Sequence, residues 1–224
     1  MKKLREIYQE IEIITQERSS LIDTVLPPLI FVSINALVNL NYAIWSSLVF
    51  IVAFTIIRLL RGESLLYALG GLGVVIAAIL AANWLGRAEG YFIPGILEGV
   101  TFTLACFISI IFKKPLISWI SHFGRNWPRD WYWHPKVRPA YSGVTLIWMS
   151  FFFLRSFVRI NLFQDGNIWL LGIFTVITGF PATIALLVIS YLYGSWRLQN
   201  LGGPSVQEYK EGKDPPWESQ LRGF

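Results

Sequence analysis

The sequence predicts an all-α integral membrane protein with six transmembrane helices. Hydrophobic residues make up 54% of its 224 positions and charged residues only 15%, whereas a soluble domain usually carries about 25% charged residues. The apolar residues fall in long runs, several of which approach the roughly 20 residues needed to cross a bilayer. The composition therefore favours one membrane bundle and leaves no room for a separate soluble domain.

Six spans follow from where the apolar runs begin and end. Pro27 and Pro28 should kink or interrupt the first span, and Gly179 with Pro181 should kink the last one, because proline removes a helical hydrogen bond. The predicted spans cover residues 21–40, 42–60, 65–83, 96–112, 142–160 and 168–193.

Two polar segments flank the membrane domain of residues 21–193. Residues 1–20 place apolar side chains at three- and four-residue spacing among charged ones, which predicts an amphipathic helix at the membrane surface. This segment lacks the apolar region of a cleavable signal. Residues 194–224 are polar and rich in Gly and Pro, so we expect a poorly ordered tail.

The distribution of Lys and Arg predicts the topology. If both termini are cytoplasmic, all but three of the 19 Lys and Arg residues lie on the inner side, and the exceptions are Arg87, Arg155 and Arg159. Cytoplasmic loops collect such residues. We therefore expect both termini inside and an even number of spans.

A polar layer is predicted in the outer half of the bundle. Arg155 and Arg159 lie four apart in the fifth span and share a helix face. At about 1.5 Å per residue, Arg159 comes near the outer interface, where it can snorkel, and Arg155 lies deeper. Glu98 comes to a similar depth, so we expect an Arg155–Glu98 pair. The candidate polar cluster is Arg155, Glu98, Asn35, Arg159, Arg87 and Glu89.

Two interpretations of this cluster stay open. A charge within a membrane helix needs a partner and indicates a functional site by default. The pair can nevertheless be purely structural, orienting the fourth and fifth spans. Alternatively, it lines a pocket for an anionic or polar ligand, or a conduction path. The structural interpretation is favoured, because one ion pair satisfies both charges without a ligand.

Residues 113–141 predict a cytoplasmic loop that contacts lipid. Interleaved indole and ammonium groups suit the headgroup region and anionic lipid. Nucleic acid, which the net charge of +5 could also suggest, is the weaker interpretation for a loop between two spans. The expected interfacial residues are Trp119, Trp127, Trp131, Trp133, Lys113 and Lys114.

No catalytic or cofactor motif is present in the sequence. His122 and His134 share one loop, where a metal would need at least one further good ligand. Cys106 is the single cysteine and excludes an internal disulfide. Nucleotide-binding, metalloprotease and serine-hydrolase signatures are missing. We therefore expect no enzyme activity, no metal and no cofactor.

A weak internal repeat connects the two halves of the chain. Both IIRLLRGESLLYALGGLGVVI and FLRSFVRINLFQDGNIWLLGIFTVI combine an arginine-bearing helix end, a polar turn and a helix with aromatic, Leu and Gly residues. The two halves would form an inverted 3+3 repeat of the kind found in many transporters.

Several stretches resemble a bacterial family of small multi-pass membrane proteins of unknown function. They are RLLRGES, GRAEGYFIPGI, KKPLI and RPAYSGVTLIWMSFFFLR. KKPLI and the fifth span are also similar, more distantly, to intracellular septation protein A. The resemblance covers residues 21–193. It implies a protein of the inner membrane with a link to cell-envelope synthesis or division, and it names no catalytic residue.

The sequence thus predicts a non-enzymatic, septation-protein-like protein that organises the membrane or envelope. Its expected partners are membrane lipid and other membrane or cell-envelope proteins. The alternative is a small transporter or channel that uses the polar cluster around Arg155 and Glu98.

Overall fold

The computed structural model describes residues 18–62, 65–220 and 224, and every regular element in this part of the chain is helical. The expected amphipathic helix of residues 1–20 lies outside the described residues, except for its last three positions. The helices are α1 Arg18–Leu37, α2 Leu40–Leu60, α3 Leu65–Leu85, a 3₁₀ helix Ala88–Phe92, α4 Ile93–Ile111, α5 Leu116–Arg125, α6 Arg129–Trp133, α7 Arg138–Gln164, α8 Ile168–Ile177, α9 Phe180–Leu201 and α10 Val206–Glu211.

Four of the described helices are long and apolar enough to cross a membrane. They are Leu40–Leu60, Ala88–Ile111, Arg138–Gln164 and Ile168–Leu201, and the segments Leu26–Leu37 and Leu69–Leu85 are shorter apolar helices. Large apolar side chains on these helices, such as Leu37, Leu60 and Trp84, are more than 80% exposed. Such extensive exposed apolar surface is typical of a protein that contacts lipid or other proteins.

The observed helix boundaries differ from the boundaries of the predicted spans at several places. α1 continues through Pro27 and Pro28. Asn39 caps α2, accepting a hydrogen bond from the backbone N–H of Tyr42 at 3.1 Å, so α1 ends and α2 begins earlier in the chain than predicted. The expected kink in the last span is a break, because α8 ends at Ile177 and α9 begins at Phe180.

Residues 194–220 of the C-terminal tail form defined structure, which differs from the expectation of a poorly ordered segment. α9 continues to Leu201, and α10 follows after a short turn. A reciprocal capping box starts α10: the Ser205 hydroxyl accepts from the backbone N–H of Glu208, and the Glu208 carboxylate accepts from that of Ser205. This motif satisfies two donors that would otherwise lack partners.

The first of two compact units comprises residues 1–98 and 155–184. In it, α1 packs against α2 and α8, α2 against α3, and the 3₁₀ helix against α3 and α8. Phe31 stacks on Tyr91 with ring centroids 4.1 Å apart. Gly172 allows α8 to approach α1 closely, because a Cβ there would lie 2.8 Å from Val32 Cγ2.

The second unit comprises residues 99–154 and 185–224 and has an aromatic core. Trp131, Tyr132 and Tyr141 are fully buried there. The indole N–H of Trp131 donates to the Pro204 carbonyl at 2.8 Å. Within the same unit, the indole N–H of Trp148 donates to the Ser190 hydroxyl at 2.7 Å, so the indole nitrogens of both tryptophans have partners inside the unit.

Candidate functional site

Arg159 is the most deeply buried member of the predicted polar cluster. Its side chain lies on α7, is 3% exposed, and donates from Nη1 to the Gly95 carbonyl oxygen at 2.9 Å. Gly95 belongs to the first turn of α4, and a Cβ there would lie 2.9 Å from Nη1. A glycine at this position therefore leaves the space that the guanidinium occupies.

The burial of Arg159 corrects the expectation that it snorkels at the outer interface. Arg155, which we expected to be the more constrained arginine, is half-buried. The helical rise per residue predicts how deep each arginine lies along the membrane normal, but not which of the two faces a neighbouring helix. Arg159 is the more buried of the two arginines because its guanidinium fits into the space beside Gly95.

Glu98 lies one turn beyond Gly95 on α4 and its side chain is exposed. Its carboxylate interacts electrostatically with the guanidinium groups of both Arg155 and Arg159, and the two guanidinium groups repel each other. The structure thus brings these three residues into one cluster with two positive charges and one negative charge. A direct Arg155–Glu98 ion pair stays a prediction.

Arg87 and Glu89 form a separate ion pair at the start of the 3₁₀ helix. Arg87 Nε lies 3.5 Å from Glu89 Oε2, and the Arg87 guanidinium lies 5.8 Å from the centre of the Phe163 ring. Gly166, whose φ is +68°, lies beside this ion pair, since a Cβ at position 166 would lie 3.5 Å from Glu89 Oε1. Asn35, the remaining member of the predicted cluster, is half-buried on α1.

A second set of residues, on α5, α6 and the turn that precedes α5, combines aromatic rings with cations. Lys114 Nζ lies 4.8 Å from the centre of the Trp133 ring, and the Arg129 guanidinium lies 5.1 Å from that of Trp119. Phe123, next to Trp119 in the same row, is 74% exposed. We call Lys114, Trp119, Phe123, Arg129 and Trp133 the stacked-cation surface.

Two further predicted interfacial residues stay near this surface, but Trp131 does not. Trp127 is half-buried and carries the Arg125 guanidinium 5.1 Å from its ring centre, and Lys113 is exposed. Trp131 is 0% exposed. The expectation that Trp131 contacts lipid is therefore wrong, because the Pro204 carbonyl and the surrounding aromatic rings enclose it.

Both histidines take part in contacts within the second unit. His122 Nδ1 lies 2.7 Å from the Trp127 carbonyl oxygen. The ring of His134 meets that of Trp217 edge-on at 5.4 Å. Burial and the nearby charge of Lys136 lower the pKa of His134, so its ring is mostly neutral at pH 7.

The sequence analysis missed the contacts that hold the C-terminal tail. Glu208 is 6% exposed, and its Oε1 accepts from the backbone N–H of Glu218 at 3.0 Å. This bond, those from Ser205, and the nearby charge of Lys213 lower the pKa of Glu208 to about 2. The Phe224 ring stacks on Tyr141 at 4.5 Å. The Ser-x-x-Glu spacing at 205–208 was the available signal for this site.

Arg58, within the predicted second span, is a further buried charge that the predicted polar cluster does not include. It lies on α2 and is 5% exposed. It shares the inner face of the helix with Ala43, Ser47, Ile51 and Thr55. Their spacing of three and four residues was the signal that could have placed it there.

Comparison with known proteins identifies the family and no relative of known activity. No curated protein matches the chain, and no solved structure does. The similarity to intracellular septation protein A thus has no support from these comparisons. A family model does match residues 18–196, which cover both candidate sites and all the long helices except the last turn of α9. The chain belongs to the family described as "Protein of unknown function (DUF3159)".

Proposed function

We propose that this protein is a non-enzymatic, multi-pass protein of the bacterial inner membrane that organises membrane or envelope components. Its working surface is the segment of residues 113–141, which contacts lipid and other proteins on the cytoplasmic side. The observation that carries this proposal is the exposed stacked-cation surface, located between two consecutive candidate membrane spans.

The chain connectivity supports a membrane-surface position for this segment. α4 ends at Ile111 and α7 begins at Arg138, and both belong to candidate spans. If both helices cross the bilayer, everything between them emerges on one face of it. The excess of Lys and Arg in this segment assigns that face to the cytoplasm.

The arrangement of the buried polar groups supports a role without catalysis. Arg159 is bonded to a backbone carbonyl, and Trp131 and Trp148 are bonded within their own unit. The Glu208 carboxylate is engaged by backbone N–H groups of the tail. These side chains hold helices and turns together, whereas Lys114, Phe123 and Arg129 of residues 113–141 are exposed and available to a partner.

A link to cell-envelope synthesis or division is the finer part of this proposal. It is supported only by the resemblance of KKPLI and the fifth span to intracellular septation protein A. A partner captured at the stacked-cation surface would therefore be expected among inner-membrane proteins of the envelope machinery.

In vivo photo-crosslinking tests the proposal. A photoreactive residue at position 123 should give a discrete protein adduct in cells, because Phe123 projects from the proposed working surface. The same residue at position 211, which is also exposed but lies on the tail helix α10, serves as the matched control. Identical adduct patterns from the two positions, or no adduct from position 123, would contradict the proposal.

A second candidate function is the transport or conduction of a small anion through the polar cluster. The observation that favours it is Arg159 Nε, a buried donor with no hydrogen-bond partner among the described residues, in a cluster with an excess positive charge. Such charges within membrane helices mark ion and substrate pathways.

Reconstituted vesicles separate the two functions. A chloride or acetate transporter should release its anion faster than protein-free vesicles, and Arg155→Ala should abolish this release in a protein that remains folded. The membrane-organising protein should release neither anion, and Arg155→Ala should only lower its thermal stability.

A further inference from the structure

In the stacked-cation surface, the exposed ring of Phe123 and the half-buried rings of Trp119 and Trp133 follow one another. The centroids of the Phe123 and Trp119 rings are 6.3 Å apart, and those of Trp119 and Trp133 are 5.9 Å apart. Arg129 lies on one of these rings and Lys114 on another. Ile120, one turn from Leu116 on α5, is 47% exposed and extends the apolar part of the row.

Stacking leaves the hydrogen-bond donors of both cations available. A cation attracted to the face of an indole ring uses its charge and not its N–H groups, and the planar guanidinium keeps its edge donors for a phosphate oxygen. Within the described part of the chain, neither Lys114 nor Arg129 forms a salt bridge with a carboxylate. The rings therefore hold two positive charges in place without neutralising them.

The local charge selects an anionic partner. Residues 113–141 contain six Lys and Arg residues and one acidic residue, Asp130. Lys113 and Lys114 follow directly after the end of a candidate span, at the level where lipid headgroups meet water. A surface that combines exposed apolar rings with cations at this level matches a phosphate headgroup above an acyl chain.

We infer that Lys114 and Arg129, held on the faces of Trp133 and Trp119, bind the headgroup phosphates of anionic phospholipids, with Phe123 inserted at the boundary of the acyl chains. This inference rests on the proposed function, because it requires that residues 113–141 lie at the membrane surface. It adds the chemical class of the lipid and the residues that select it.

Native mass spectrometry of the full chain in a neutral detergent tests this inference. The probes are phosphatidylglycerol, whose headgroup is anionic, and phosphatidylcholine with the same acyl chains, whose headgroup has no net charge. The wild type should retain phosphatidylglycerol in preference. Arg129→Gln should weaken the binding of phosphatidylglycerol about fivefold, the factor expected for one cation near an anionic surface. The double variant Arg129→Gln/Lys114→Gln should bind this lipid more weakly again, by a similar factor.

Lys210→Gln is the matched control, because it removes the same charge from an exposed position on α10. Its binding of phosphatidylglycerol should stay within about twofold of the wild type. Equal retention of the two lipids by the wild type would overturn the inference, as would an equal loss in the Arg129→Gln and Lys210→Gln variants. All variants should keep the helical circular dichroism of the wild type.

The photo-crosslinking experiment and the native mass spectrometry test separate statements, so either one can fail alone. A protein adduct at position 123 without selective retention of phosphatidylglycerol would leave the membrane-organising function standing and overturn the lipid inference. Selective retention without an adduct would support the lipid inference and overturn the partner-binding part of the proposed function.

Discussion

The contact between Arg159 and Gly95 shows how one small residue allows a buried charge. The guanidinium donates to a backbone carbonyl at 2.9 Å, and the absence of a Cβ at position 95 gives it room. In a membrane helix such a contact compensates part of the cost of removing a charge from water. The position of the glycine is therefore as important to the cluster as the charged residues themselves.

Gly95→Ala should destabilise the protein through this contact. The added Cβ would lie 2.9 Å from Arg159 Nη1, so the guanidinium must shift and lose its hydrogen bond to the Gly95 carbonyl, which costs about 1–3 kcal/mol for a buried donor. Gly73→Ala is the matched control, since a Cβ at position 73 would meet nothing within 4 Å. Unfolding by denaturing detergent, followed by circular dichroism, measures both. Equal stability of the two variants would show that Arg159 is not held at Gly95.

The sequence alone identifies the charged residues of the cluster but not the groups that contact them. The four-residue spacing of Arg155 and Arg159 placed them on one face, and the helical rise brought Glu98 to a similar depth. Which arginine becomes buried depends on how closely α4 and α7 approach at Gly95. That distance is a tertiary property, and no pattern in either helix alone encodes it.

Helices α5 to α7 illustrate what could be predicted at the scale of elements. The apolar run of the fifth span is long and continuous, so its existence was clear from the sequence. Its start at Arg138 was missed because Pro139 was interpreted as part of a loop, although proline is favoured in the first turn of a helix. The aromatic loop before it folds as two short helices, α5 and α6, whose rings pack partly inward.

The folded tail was the least predictable element. Its composition of Gly, Pro and charged residues resembles that of a disordered segment, and its order depends on contacts with residues distant in sequence. Trp131 bonds to Pro204 across 73 positions, and the His134 ring faces Trp217. Only the capping box at Ser205 and Glu208 is a local signal.

The tail should detach at low pH. The folded tail lowers the pKa of Glu208 to about 2, below the roughly 4.3 of an unperturbed Glu. The resulting stabilisation is fully present above the ordinary pKa and is lost as the pH falls towards 2. Hydrogen exchange of α10 should therefore accelerate over this interval. Trp217 fluorescence provides an independent measurement.

Glu208→Gln should show the effect of this carboxylate at neutral pH. It should accelerate exchange in α10 at pH 7 and remove most of the acid dependence. Glu211→Gln, which changes an exposed carboxylate bonded only to Gln207, should behave like the wild type. An unchanged pH profile in Glu208→Gln would assign the acid transition to another group.

The whole molecule has fewer clear candidate spans among its described helices than the sequence predicts. Four described helices qualify by length and apolarity, whereas the sequence predicts six. α3, Leu65–Leu85, has 21 residues, and at about 1.5 Å per residue its length of roughly 31 Å matches the hydrocarbon core. Exposed apolar residues such as Leu80 on this helix are consistent with a lipid-facing position.

Cysteine labelling of intact cells can decide whether α3 crosses the membrane. In a Cys106→Ser background, single cysteines at the exposed positions Arg61 and Arg87 flank this helix. Six spans with both termini inside require that a membrane-impermeant reagent labels position 87 and not position 61. Labelling of both positions, or of neither, would place the two ends of α3 on the same side. The same topology places position 126 on the inner side, so this position should stay unlabelled as well.

The Arg159–Gly95 contact also has a consequence for how the chain enters the membrane during synthesis. α7 is the least apolar of the four candidate spans, because it carries two arginines, and an isolated helix of this kind partitions poorly into lipid. α4 leaves the ribosome first, so the Gly95 carbonyl and the Glu98 carboxylate are already in the bilayer when α7 arrives. The insertion of α7 should therefore depend on α4, which makes the order of the helices along the chain part of the mechanism of assembly.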